Sequence, residues 1–315
     1  MSRPNPRPGR KARIAYLGPA GTFTEQALLG QADLAEADLR PLPRFFDVLA
    51  STVEGEVDLG FVAIENAIEG TVNVTLDGLA FDHDLLIQRE VVLDVQLELM
   101  ALPGTTLEGV TTVSSFPVAN AQCRNFLHKE LPDVPVKAAN STAEAAEAAS
   151  HQPGLAAIGP ARAAELYGLE VLVSDVADHS GNQTRFLLVG PSGIPAPTGH
   201  DKTTVVLHQR IDRPGSLVAI LEEFSARNIS LSNLTSRPVK RTLGQYCFIA
   251  DLIGHIGDDV VADALRAVRA KHADVKFLGS YPADGTTSPS LRAEATRAVA
   301  EAEAWMTGIR DQIVR

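Results

Sequence analysis

Thr184 and Arg185 stand at the mouth of an apolar strand, in the run SGNQTRFLLVG from Ser180 to Gly190. A guanidinium binds an anion through two parallel N–H bonds, a geometry that the point charge of lysine lacks. An arginine at the entrance of a buried strand calls for an anionic partner, which is either a ligand or one of the 39 acidic residues of the chain itself. A threonine beside it adds a fixed hydroxyl donor, or is simply a β-branched strand residue. A second polar cluster, Glu65, Asn66, Glu69 and Thr71 in AIENAIEGT, lies where a strand end opens into a helix. Clefts of α/β proteins gather polar groups at such places, and the exposed N–H groups of a helix start favour anions. Asn66 and Thr71 can donate to a carboxylate or a hydroxyl. Glu65 is the proton-donor candidate if burial raises its pKa; otherwise it is a carboxylate bonding local backbone N–H groups. Thr22 and Phe23 follow Gly21, and Ser141 and Thr142 open the run STAEAAEAAS. Thr22 reads both as a ligand contact and as the N-cap of a capping box with Glu25; Ser141 or Asn140 is a cap of the same kind. His179, in DHSGN, suits a solvated turn and stays outside the catalytic set.

The elements that must hold these residues alternate. From Arg13 onward, short apolar strands (ARIAYLG, VDLGFVAIE, VTTVSS, VPVKAA, LAAIGP, LEVLVSDV) are separated by helical stretches (TFTEQALLG, FFDVLASTVEGE, TVNVTLDGLAF, VANAQCRNFLHKEL, STAEAAEAAS, ARAAELYG). A long extended run, LLIQREVVLDVQLELMAL, suits a passage from one lobe to another. Alternation of this kind implies a mostly parallel sheet covered by helices. Residues 12–190 form this region, after an N-terminal arm (1–11) expected to be disordered. PSGIPAPTGHDK (191–202) is a linker too rich in Pro and Gly for a helix or a central strand. Residues 203–282 change rhythm to β-α-β-β-α-β, the ferredoxin-like arrangement. The tail 283–315 is rich in Ala, Glu and Arg and is expected to be helical.

The 315 residues, at roughly 150 per domain, suggest about two domains of ordinary globular composition. A net charge of −11 argues against nucleic acid as a partner and obliges any anionic substrate to find local cations. No run approaches the ~20 apolar residues of a membrane span, and no signal-peptide pattern follows the basic start, so a cytoplasmic protein is expected. Cys123 and Cys247 read as small buried hydrophobes, and no spacing suggests a metal site.

AYLGPAGTFTEQAL, GFVAIENAIEGTVNVTLDGL, NSTAEAA, AAIGPARAAELYGL and GNQTRFLLVG resemble, in order, the blocks of the prephenate dehydratase family, and the segment after the linker resembles its ACT regulatory domain. The resemblance covers Arg13 to Pro282. It implies an α/β fold with a two-lobed catalytic region like a type 2 periplasmic-binding protein, followed by a ferredoxin-like ACT domain. It also implies the conversion of prephenate to phenylpyruvate without a cofactor; GPAGTF lacks both the Rossmann and the P-loop fingerprints. Prephenate is a dicarboxylate whose leaving group is a hydroxyl. On this resemblance Thr184 assists the hydroxyl as a fixed O–H donor, and Arg185 clamps a carboxylate, with Glu65 and Asn66 beside them. Thr22, Phe23, Thr71, Ser141 and Thr142 bind substrate, and Phe186 shapes the pocket wall or packs in the core.

The ACT resemblance implies an amino-acid effector, phenylalanine, held at paired subunits by Gly215, Ser216, Leu217, Asn233, Ser236, Arg237 and Pro238. Ser216, Val218 and Thr235 depart from the family's pattern there. A homodimer or homotetramer is expected. The rival readings are an arogenate dehydratase and a noncatalytic amino-acid sensor.

Overall fold

The structure, a computed structural model, describes residues 11–211, 213–239, 246–284, 301 and 304–312. Two compact units divide the chain: the residues up to Asp84 with Val91–Pro191, and Leu85–Glu90 with everything from Ser192.

The first unit contains two sheets. The chain opens with β1 (Arg13–Leu17), β2 (Asp38–Leu42), β3 (Leu59–Asn66), β4 (Gly70–Thr71) and β5 (Leu86–Asp94), interleaved with α1 (Phe23–Leu29), α2 (Ala32–Ala35), α3 (Phe45–Glu54) and α4 (Asn73–Asp77). A π-helical turn, Gly78–Asp82, extends α4. The second lobe holds β6 (Glu98–Ala101), β7 (Thr112–Ser115), β8 (Val136–Ala138), β9 (Leu155–Gly159) and β10 (Glu170–Val173), with α5 (Pro117–Gln122), α6 (Arg124–Glu130), α7 (Thr142–His151) and α8 (Ala161–Tyr167). The chain then returns to the first sheet as β11 (Gln183–Gly190). The sheet orders are β2-β1-β3-β11-β5, with β4 on β3, and β10-β6-β9-β7-β8.

The mostly parallel sheet expected from alternation is corrected to two mixed sheets. β1 runs parallel to β2 and β3, and β7 parallel to β8 and β9, as βαβ crossovers require. β11 lies antiparallel to β3, and β6 antiparallel to β9 and β10. These are the strands by which the chain enters one lobe and comes back to the other, so they run against their neighbours. Alternate residues of a strand face opposite ways. Leu99 and Ile158 therefore join one second-lobe core, while Met100 and Ala157 join another under α7 and α8.

The second unit is β12 (Asp201–Gln209), α9 (Ser216–Ser225), β13 (Leu231–Pro238), β14 (Tyr246–Ile253), α10 (Asp259–Lys271) and β15 (Ala273–Pro282), with sheet order β13-β14-β12-β15. One face buries Val205, Leu207, Ala250 and Leu252 under Ile220 and Phe224 of α9 and Val261, Leu265 and Val268 of α10. Leu85–Glu90 belongs to this unit: the Glu90 carboxylate accepts from Lys202 Nζ at 2.8 and 2.9 Å. Gly279 gives Ile87 its room, since a Cβ there would stand 2.5 Å from the Ile87 carbonyl oxygen. The linker is pinned at its end, where the Asp201 carboxylate accepts the N–H groups of Thr198 and Gly199.

Residues 1–10 of the expected N-terminal arm lie outside the described residues, as does most of the tail; 304–310 is helical, with Trp305 exposed. Among the described residues no helix is long and apolar enough to cross a membrane, and no group of His, Cys, Asp or Glu is placed to hold a metal ion.

Candidate active site

β11 enters the first sheet beside the end of β3, and the antiparallel register sets Thr184 opposite Asn66 and Arg185 opposite Glu65. Two motifs more than a hundred residues apart thereby share one strand end. Asn66 is the hub. Its Oδ1 accepts the backbone N–H groups of Ile68 and Glu69, both at 3.0 Å. This local turn fixes the amide, so Nδ2 points the other way. There it donates to Thr184 Oγ1 at 2.9 Å, Asn182 Oδ1 at 2.8 Å and the Gln183 carbonyl at 3.2 Å. Since Thr184 Oγ1 accepts from Asn66, its own hydrogen is directed to a different acceptor.

The network continues into the second lobe. Asn182, a buried residue, donates to Gln122 Oε1 at 3.2 Å, and Gln122 Nε2 donates to Glu69 Oε1 at 3.1 Å. Gln122 ends α5, so its side chain joins the two lobes. Sequence reasoning missed Asn182 and Gln122. Asn182 sits inside the SGNQTRF run, but nothing in its type or spacing marks it as a bridge, and AQC carries no signal of its own.

Arg185 is 12% exposed, and its Nη1 lies 3.8 Å from Glu65 Oε2, whose side chain is 45% exposed. A pair at that distance, half in water, holds a cation weakly. The half-exposed Glu65 side chain stands beside Arg185 at the strand end. Thr71 pairs opposite Glu65 from β4 and is half-buried.

The remaining sequence candidates divide. Thr22 is the N-cap of α1, with Oγ1 3.5 Å from the Glu25 N–H. The Phe23 ring packs against the second-lobe core of Leu99, Val113 and Cys123. Ser141 Oγ accepts the Glu144 N–H at 2.9 Å, and Glu144 reaches back to the Asn140 N–H, a capping arrangement. Thr142 opens α7 and is buried, with its Cβ 3.3 Å from where a Cβ on Gly159 would stand. Phe186 is buried and stacks on Phe61 at 5.2 Å in the first-lobe core, which is the second of the two places the sequence allowed it.

The effector candidates fall in the second unit. Gly215, at φ 88°, is the N-cap of α9. Ser216 Oγ accepts the Arg213 N–H at 2.9 Å and donates to the Arg213 carbonyl, which closes the turn before the helix. Leu217 lies in the first turn of α9 and is half-buried. β13 is an edge strand whose burial alternates, so Asn233 and Arg237 take one face and Ser236 and Pro238 the other. The expected ligand set is thus split across the two faces of the strand.

Comparison with known proteins matches residues 14–193 to the family described as prephenate dehydratase and residues 203–270 to the ACT domain. The prephenate dehydratase of Mycolicibacterium smegmatis is 42% identical over 316 residues, spanning 95% of this chain and 97% of the relative. A crystal structure of prephenate dehydratase in complex with L-Phe from Arthrobacter aurescens superposes with a TM-score of 0.84 at 37% identity, over 95% of this chain and 99% of that one. A quorum-quenching acylase, GqqA, shares the fold at a TM-score of 0.76 and 26% identity, over 86% of this chain and 98% of its own.

Proposed function

The chain belongs to the prephenate dehydratase family, and from that premise we propose that Thr184, Asn66 and Arg185 carry its reaction, the conversion of prephenate to phenylpyruvate with loss of water and carbon dioxide. The observation that supports this assignment is the fixed Asn66 amide, which occupies Thr184 Oγ1 as an acceptor at 2.9 Å and frees the hydroxyl hydrogen for the substrate. As the C–CO₂ bond breaks, its electron pair enters the ring, the ring becomes aromatic and the C–O bond to the hydroxyl breaks. The departing oxygen takes up one proton overall and leaves as water. Thr184 supplies a hydrogen bond that strengthens as charge grows on that oxygen.

Arg185 holds the substrate's other carboxylate, the one that survives in the product. A clamp on the departing carboxylate would stabilise a charge that disappears in the transition state and would slow the step. Glu65 gives way readily, because a loose, half-exposed pair costs little to exchange for a bidentate one. Thr22, Thr71 and Thr142 supply hydroxyls around the ligand. The rest of the catalytic task is orientation of the ring.

The second unit acts as a sensor of phenylalanine, the compound that phenylpyruvate supplies by transamination. The resemblance to a relative crystallised with L-Phe supports this reading, as does the ACT domain match. Gly215, Leu217 and the residues of one face of β13 are the contacts, and the open edge of β13 suits pairing with a second copy, as homodimer or homotetramer. A biosynthetic enzyme of small metabolites fits the cytoplasm.

The test is incubation of the purified chain with prephenate and, separately, with arogenate, following phenylpyruvate and phenylalanine as products. Phenylpyruvate from prephenate is expected, with phenylalanine lowering the rate in the intact chain. Turnover of arogenate alone would make the chain an arogenate dehydratase, and turnover of neither would leave an amino-acid sensor on this fold.

A further inference from the structure

Glu25 is a carboxylate that the reaction does not use, and it is only 7% exposed. The sequence reads it as the third residue of a capping box. In the structure the carboxylate does not close that box. It accepts from the Gly21 N–H at 2.7 Å, from the Tyr16 hydroxyl at 3.2 Å and from Arg162 Nε at 3.2 Å. Burial and the adjacent carboxylate push the Tyr16 phenol up, so it remains a donor. Tyr16 and Gly21 belong to the first lobe, whereas Arg162 stands in the first turn of α8 in the second.

Other contacts seat the same loop on the second lobe. A Cβ on Gly21 would lie 3.3 Å from both Leu166 Cδ2 and Tyr167 Cε2 and 3.5 Å from Ala143 Cβ. The Tyr167 hydroxyl is 3.5 Å from the Ala20 carbonyl oxygen. Phe23, two residues after Gly21, packs against the second-lobe core. The loop that carries Thr22 is therefore held by residues of both lobes, and Glu25 is its only charged anchor among these contacts.

We propose that Glu25 and Arg162 are positioning residues for the reaction: a latch between the lobes that keeps the Gly18–Thr22 loop where it can meet substrate. This rests on the cleft between the two lobes being the prephenate site. When the lobes part, both charges regain water. The pair therefore adds little to overall stability and biases the closed arrangement instead. Loss of Arg162 leaves a buried carboxylate without its cation, and that penalty is relieved by opening. Substrate then has to select a less populated closed form, and its apparent affinity falls by the fraction that is closed. Chemistry on bound substrate is unchanged, because the hydrogen bonds that fix Thr184 and Asn66 on β11 and β3 share no residue with the latch.

Arg162 also reaches Glu165 at 3.4 Å, a pair within α8 whose acid is 71% exposed. It serves as the control. Steady-state kinetics with prephenate on Arg162→Met should show KM raised about five- to tenfold with kcat kept within about twofold. Arg162→Lys should restore part of the loss, and Glu165→Gln should behave as the parent. Glu25→Gln provides the reciprocal variant if Arg162→Met does not fold. Hydrogen exchange at the Gly21 amide reads the same latch without substrate, and it should quicken in Arg162→Met but not in Glu165→Gln. Unchanged KM and unchanged exchange in a folded Arg162→Met, or a fall in kcat alone, overturns the proposal. A parent chain inert toward prephenate would count against the functional reading, while the exchange measurement would still decide the latch.

Discussion

At Asn66, two backbone N–H groups hold the side-chain oxygen, which obliges the amide nitrogen to face Thr184. The direction of a single hydroxyl hydrogen is thereby set by a four-residue turn. Arg185 is used differently, as a planar fork with the Glu65 carboxylate 3.8 Å from it. Arg185→Lys keeps the charge and loses the fork, so KM for prephenate should rise on the order of tenfold, the scale of one lost charge-assisted bond. A variant that loses stability yet keeps its KM would give Arg185 a structural role instead. The residues of this site were legible in the sequence to the extent that their types carry chemistry: TRF and AIEN stand out. Asn182, Gln122, Glu25 and Arg162 did not, because their roles depend on partners across two lobes, and an amide or a carboxylate looks the same whether it bridges or merely solvates. Phe186 was open between wall and core, and only the stacking on Phe61 decided it.

At the scale of elements, the apolar, β-branched strands and the Ala-rich helices were readable from local pattern. β2 was not: DLRPL carries two charges and a proline and lies at the sheet edge, where burial imposes no hydrophobic alternation. The helix expected over VANAQCRNFLHKEL breaks at Cys123, whose φ of −115° and ψ of 16° interrupt it. Strand direction was also misjudged, since the return of β11 against β3 is a long-range event with no local signature. In the second unit, α9 and α10 are tied by Glu223, which accepts from Lys271 at 2.8 Å and Arg227 at 2.9 Å and lies 3.3 Å from His272. The hydrogen bonds from Lys271 and Arg227 pull the Glu223 carboxyl from an ordinary 4.5 down to about 2. A carboxyl depressed on folding contributes its stabilisation above its unfolded pKa and loses it as pH falls through the folded one. The gap in thermal midpoint between the parent and Glu223→Gln should therefore shrink as pH falls from about 4.5 toward 2. A gap that does not change between pH 6 and pH 3 would remove Glu223 from this role.

At the scale of the molecule, the prephenate dehydratase and ACT matches fall largely on separate compact units, yet the boundary does not follow the linker alone. Leu85–Glu90, which includes the first part of β5, belongs with the second unit, while Val91–Asp94 belongs with the first. Glu90 is almost fully buried against Lys202. A cut at the Pro/Gly linker would strip that carboxylate of its cation, a loss of about 3–5 kcal/mol for a buried pair. Regulation is therefore best measured on the intact chain. The ferredoxin-like rhythm of the second unit was plain in the sequence, whereas its claim on a piece of β5 was not, because a strand read alone says nothing of which core it joins. The most direct measurement of the central claim is prephenate turnover by the intact Thr184→Val chain beside Thr184→Ser, with phenylpyruvate as the readout and thermal midpoint as the check on folding. The account predicts that Ser keeps much of the activity, because a donor remains opposite Asn66, and that Val loses about 10²–10³ in kcat, the scale of one removed transition-state donor. A folded Val variant that turns over prephenate at a near-parental rate would contradict it.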